Sequence, residues 1–122
     1  MALYTTLPLY KVTYDLLKLT TNIIKHFPRD FKYSLGDKLR NEIVELVVKI
    51  YKANSSKIKE PHLEEILERI QAIKLLVRLS KDLHLINVKK FSETSELIES
   101  ISRQTNGWKK SSVCRGEQNE KI

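Results

Sequence analysis

The chain has 122 residues and a formal net charge of +7, with 22 Lys and Arg against 15 Asp and Glu, 41% hydrophobic residues and a single cysteine. That length fits one small domain, and the apolar fraction is enough for a core, which excludes a chain disordered throughout. No apolar run approaches the roughly 18–20 residues of a membrane span; the first residues lack the charged and apolar regions of a secretory leader; and Cys114 alone builds no internal disulfide, so a cytoplasmic protein with no membrane association is expected.

Periods near 3.6 recur along the chain, whereas the period-2 alternation of a half-buried strand does not, so four helices are predicted. The first spans about Pro8 to His26. Thr6 is its candidate cap, and Pro8 suits a first turn, where its missing N–H would lack a partner anyway. Leu9, Val12, Leu16, Leu19, Ile23 and Phe27 lie on one face, and Pro28 ends or resets the helix. The second spans about Ser34 to Asn54. Ser34 with Asp37 is a weak capping signature, Leu35, Leu39, Ile43, Leu46 and Ile50 form the stripe, and Asn54-Ser55-Ser56 stops it.

The third helix spans about Pro61 to Leu83. Glu60, Glu64, Glu65 and Glu68 crowd its start, and Lys74, Arg78 and Lys81 lie toward its end, as the helix dipole favours. The fourth spans about Asn87 to Trp108, with Asn87 as cap and Phe91, Ile98, Ile101, Thr105 and Trp108 as its stripe. The expectation is an all-α, antiparallel four-helix bundle over residues 1–112, followed by a polar, disordered tail over 113–122.

Two helices carry surplus apolar surface. In the second, Val44, Val48 and Tyr51 point away from the main stripe. In the third, Leu63, Ile66, Ile70 and Ile73 make one face, and Ala72, Leu76, Leu79 and Leu83 lie on nearly the opposite side. A helix apolar almost all round is buried on more than one side. A homo-oligomer is therefore expected, with Val44, Val48, Tyr51, Leu76, Leu79 and Leu83 at its interface. The alternative is the ordinary scatter of apolar residues on a surface.

The positive charge is regional. Lys25, Arg29, Lys32, Lys38, Arg40, Lys49, Lys52, Lys57 and Lys59 stand against Asp30, Asp37, Glu42 and Glu45, so residues 25–59 hold +5 of the chain's +7. Such a surface fits a polyanion, because Lys and Arg on a phosphate backbone release condensed counterions. Phe31, Tyr33 and Tyr51 lie among these charges as rings able to stack on bases. The alternative is a solvated face that keeps the protein soluble, with Arg29 and Arg40 in ion pairs with Asp30, Asp37 or Glu42.

No constellation points to catalysis, a metal or a cofactor. His26, His62 and His84 lack the Glu spacing of a bundle di-iron site, and one cysteine makes no zinc cluster. A ligand set shared between subunits stays open. Arg78 and His84 form an Arg-x5-His pattern similar to the RNase motif of HEPN domains, although Leu79 stands where that family usually shows a polar residue. The alternative is an Arg favoured by the dipole and a helix-terminal His. Ser55-Ser56-Lys57 has no visible oxyanion partner, and Leu35-Gly36-Asp37 is no phosphate loop.

The blocks Leu7-Pro8-Leu9-Tyr10, Phe27-Pro28-Arg29-Asp30-Phe31-Lys32-Tyr33-Ser34-Leu35-Gly36-Asp37-Lys38-Leu39-Arg40-Asn41-Glu42, Ile50-Tyr51-Lys52-Ala53-Asn54, Arg78-Leu79-Ser80-Lys81-Asp82-Leu83 and Gly107-Trp108-Lys109-Lys110-Ser111 resemble the bAvd-type four-helix-bundle proteins. These include Avd, the accessory variability determinant of diversity-generating retroelements. Proteins encoded by intervening sequences in bacterial 23S ribosomal RNA genes belong to the same superfamily. That second branch usually carries a Pro-Ala-Asn-Ile-Ala-Glu-Gly-like block after helix 2, where this chain has Tyr51-Lys52-Ala53-Asn54-Ser55-Ser56, which favours the Avd branch. The resemblance covers roughly Leu7 to Ser112.

The resemblance implies a ring or barrel, typically a homopentamer, with a basic surface that binds nucleic acid and associates with the retroelement reverse transcriptase. It implies no catalysis of its own. Carried onto this sequence, it points to Lys25, Arg29, Lys32, Lys38, Arg40, Lys49 and Lys52 for contact with RNA and the polymerase. An intervening-sequence protein, a HEPN-like RNase and a purely structural oligomer remain as alternatives.

Overall fold

The computed structural model describes residues 7–120, with side chains over residues 7–111. Among the described residues there is no strand, and four long helices carry the fold: α1 (Pro8–Ile24), α2 (Asp37–Ser55), α3 (Glu60–Asp82) and α4 (Val88–Glu120). Each follows from the apolar periodicity, and their ends follow from local chemistry. Pro8 occupies the first turn of α1, and Leu7 stands at the N-cap without a side-chain cap bond. The expected cap, Thr6, lies outside the described residues. Asn87 does cap α4: its Oδ1 accepts from the Lys90 N–H at 2.8 Å.

Two boundaries depart from the sequence reading. Helical backbone starts before Ser34. Arg29–Phe31 make one helical turn, Lys32–Gly36 a π-helical turn, and both run directly into α2. Pro28 is the N-cap residue of the Arg29–Phe31 turn, and its carbonyl accepts from the Phe31 and Lys32 N–H groups at 2.9 and 2.8 Å. Ser34 is thus inside the helix, and its Oγ donates to the Asp30 carbonyl at 2.7 Å instead of capping.

The second departure is at the other end of the chain. α4 passes through Gly107 and Trp108 and continues to Glu120, past the expected stop at Trp108. Gly107 has open space around it and no proline follows, so nothing sterically ends the helix. The side chain of Cys114 lies outside the described ones.

α1 packs on α2 and α4, and α3 packs on the same two helices. With short connections between consecutive helices, this is an antiparallel up-down-up-down bundle. Leu16, Ile24, Ile43, Leu46, Ile50, Leu63, Ile66, Ile70, Ile73 and Ile101 are fully buried at its centre. On α1, Val12 and Leu19 are only half-buried, and Thr13 and Thr20 take inward positions beside the apolar stripe. Their hydroxyls donate to the carbonyls of Leu9 (2.8 Å) and Leu16 (2.6 Å). Ser80, Thr94 and Thr105 do the same to Leu76, Lys90 and Ile101, each at 2.8 Å. A buried hydroxyl without a partner is costly, and the carbonyl one turn back satisfies it.

α3 ends in a left-handed residue. His84 has φ 59°, its N–H donates to Lys81 O at 3.0 Å and the Leu85 N–H donates to Ser80 O at 2.9 Å. This is the Schellman arrangement, which satisfies two carbonyls of the last turn.

Candidate nucleic-acid interface

The up-down topology puts the α1–α2 and α3–α4 connections at one end of the bundle. Phe27 from the first connection and Ile86 from the second line the same small cavity, together with Leu39 and Thr94. Phe27 is buried, which pins the first connection and leaves its neighbours Lys25, His26 and Arg29 exposed. Lys25 is the C-cap residue of α1, and its cation there also suits the carbonyl end of the dipole. Lys32 follows, half-buried, in the π-helical turn.

The seven basic residues singled out in the sequence separate into two groups. Lys38 Nζ meets Glu42 Oε1 at 2.9 Å, Arg40 meets Asp37 at 3.2 Å, and Lys49 meets Glu65 at 2.9 Å. The ion pair weighed for Arg40 is therefore present. Lys25, Arg29, Lys32 and Lys52 make no ion pair among the described residues, and these offer the least encumbered positive charge. Lys25, Arg29 and Lys32 cluster at the connection end, whereas Lys52 lies near the far end of α2.

Lys59 also counted toward the basic stretch, yet its ammonium is committed to the fold. It donates to the carbonyls of Ala53 (2.9 Å), Asn54 (3.2 Å) and Ser56 (2.8 Å), closing the C-terminus of α2. It also lies 5.7 Å from the centroid of the Trp108 ring.

A second set of cations joins the connection end from α3 and α4. Lys89 is exposed, Lys90 pairs with Glu93 at 3.5 Å, and Lys81 lies 4.6 Å from the Phe91 ring centroid. A segment-by-segment charge count misses this convergence. The antiparallel order of four helices was the signal that contained it.

Glu42 is the most deeply placed charge of the region. Burial disfavours its ionised form, but the hydrogen bond from Lys38, the charges of Arg69 and Lys38 and the hydrogen bond from Arg69 outweigh it. Its carboxyl is held below the ordinary value of 4.5. Arg69 Nη1 donates to Glu42 Oε2 at 2.9 Å and ties α3 to α2. Glu65 is likewise lowered, first by the hydrogen bond from Lys49 and then by its charge. These groups serve packing between two helices rather than an open anion site.

The surplus apolar faces are real. Val44 is 42% exposed, Val48 38% and Tyr51 50%, and Leu79 and Leu83 are exposed on α3. Leu76 differs: it is half-buried and packs against the protomer's own core. Of the six residues assigned to an interface, five thus face outward in the single chain.

The histidines form no group, and no cluster of His, Cys, Asp or Glu among the described residues is arranged to hold a metal ion. The two residues of the Arg-x5-His pattern both have structural partners. Arg78 Nε pairs with Asp82 at 3.4 Å, and His84 is the left-handed residue of the α3 cap. No described helix is long and apolar enough to cross a membrane.

The described residues form a four-helix bundle with a basic end and exposed apolar side chains on two helices. The bAvd-like family profile matches residues 8–112, and the chain belongs to that family, whose members are accessory, non-catalytic proteins. The match covers α1, α2, α3 and α4 as far as Ser112, including the Phe27–Glu42 block and its connection. No curated protein matches the chain.

Proposed function

We propose that this protein is the accessory component of a diversity-generating retroelement, binding nucleic acid and the reverse transcriptase to support mutagenic retrohoming. Membership in the bAvd-like family over residues 8–112 is the observation that carries the reading. The net charge of +7 supports it, as do the cations of Lys25, Arg29 and Lys32, which make no ion pair among the described residues. The mechanism is scaffolding. The polymerase supplies the chemistry, and this protein holds the structured template RNA beside it.

The same reading makes the protein a homo-oligomer, a pentameric ring whose contacts include Val44, Val48, Tyr51, Leu79 and Leu83. Each subunit repeats the basic end, so a ring multiplies one weak patch into an avid surface.

The test is binding of the full chain to template RNA across a salt series. Affinity falls steeply as salt rises, because each neutralised phosphate releases counterion. Lys25→Glu combined with Arg29→Glu weakens binding and flattens the salt slope. Failure to retain any nucleic acid at low salt overturns the reading. Co-purification with a reverse transcriptase encoded beside the gene, next to a template and variable repeat pair, tests the polymerase part.

A further inference from the structure

Of the aromatic residues placed among the basic ones, only Tyr33 is both exposed and uncommitted. Phe31 is half-buried and packs against the core. Tyr10 and Tyr14 stack on each other on α1, Lys18 covers Tyr14 at 4.9 Å, and Tyr51 has its own contact. Tyr33 is 67% exposed and makes no hydrogen bond, ring contact or ion pair among the described residues. It sits in the π-helical turn Lys32–Gly36, and such insertions in a helix concentrate at functional positions.

The turn is held from behind. A Cβ on Gly36 would come within 2.7 Å of Ile24 Cγ2 and 3.3 Å of the Phe31 carbonyl, so Gly36 lets α1 press directly on the turn. Burial of Phe27 fixes the other side. The result is a rigid platform with an outward ring. Arg29, four residues earlier, shares the helix face of Tyr33, Lys32 is adjacent, and Lys25 borders the turn at the end of α1. Asp30 is the acidic residue within this group, and Asp37 is engaged by Arg40.

A ring presented among unpaired cations suits one class of polyanion. Bases stacked inside a duplex offer no free face to a side chain, whereas an unpaired base does. We infer that Tyr33 is a base-stacking residue and that the α1–α2 end of the bundle selects single-stranded over double-stranded nucleic acid. Lys25, Arg29 and Lys32 hold the flanking phosphates. This rests on the nucleic-acid reading above and adds the form of the ligand and the residue that reads it.

The test uses the full chain with three probes: a fluorescent oligouridylate, a blunt RNA duplex of equal length, and heparin. Wild type binds the single strand more tightly than the duplex. Tyr33→Ala lowers single-strand affinity by roughly 5- to 100-fold, with heparin and duplex binding unchanged and an unaltered helical melt. Tyr33→Phe retains wild-type affinity, because stacking needs the ring and not the hydroxyl. Equal affinity of wild type for strand and duplex overturns the inference, as does Tyr33→Ala that binds the single strand like wild type or loses heparin in proportion. In those cases the nucleic-acid reading survives. If wild type holds none of the three probes at low salt, that reading fails and takes this inference with it.

Discussion

The ammonium of Lys59 lies 5.7 Å from the ring centroid of Trp108 while it donates to the Ala53 and Ser56 carbonyls at 2.9 and 2.8 Å. One side chain thereby joins the end of α2 to α4. Lys59→Met keeps the aliphatic stem and removes the donor. It is expected to cost about 1–2 kcal/mol, read as a lower urea midpoint with an unchanged slope. Nucleic-acid affinity should change little beyond the loss of one general positive charge.

The Glu42–Arg69 pair makes stability depend on pH in a definite direction. The folded carboxyl is held below 4.5, so the unfolded chain binds more protons in that range and stability rises with pH there. The contribution is complete above pH 4.5 and is lost as pH falls through the lowered folded value. Glu42→Gln should lose about 1–3 kcal/mol at neutral pH, since it leaves Arg69 without its carboxylate. The gap between variant and wild type should close in acid. Urea melts at neutral pH and near pH 3 check both statements.

Gly36 and Gly107 should respond oppositely to the same change. Gly36→Ala forces a methyl against Ile24 and should destabilise by about 1–3 kcal/mol. Gly107→Ala meets nothing within 4 Å and should stabilise α4 by about 0.5–1 kcal/mol. Thermal melting of the two variants decides it.

Val44→Glu with Val48→Glu places charge on a face already exposed in the protomer. The helices should remain formed by circular dichroism, while the mass by light scattering falls to that of one chain. An unchanged mass would remove this face from the oligomer contact.

His84→Gly should be neutral or stabilising by up to about 1 kcal/mol, because glycine adopts the left-handed conformation without the steric cost of a Cβ. A HEPN-like RNase would lose cleavage with the same substitution. RNA incubated with wild type and variant should show the same background.

The helices and their inner stripes were legible because apolar spacing alone fixes which side of a helix is buried. Leu39, Ile43, Leu46 and Ile50 needed no tertiary information, and neither did Asn87 as a cap. The family was legible as well, from the Phe27–Glu42 block. Pro28 was legible too: proline disfavours helix before it, and α1 stops short of it while the next helical turn starts just after it. Thr13, Thr20 and Thr94 were hidden by their polarity, which the helix backbone absorbs. The partition of the cations depended on distances between helices: Glu42 finds Arg69 across 27 positions of sequence, and nothing local announces that. Lys59 looked like surface charge until the end of α2 was seen to need a donor.

The seam between α1 and α4 has a consequence for how the protein is made. Thr20 and Thr94 border one cavity there, although more than half the chain separates them. Ribosomes deliver α1 first and α4 last, so contacts across this seam wait for synthesis to end. Until then, of the two helices that pack on α1, only α2 is there to cover Leu16 and Ile24. Each nascent chain therefore carries an open apolar flank until its last helix arrives.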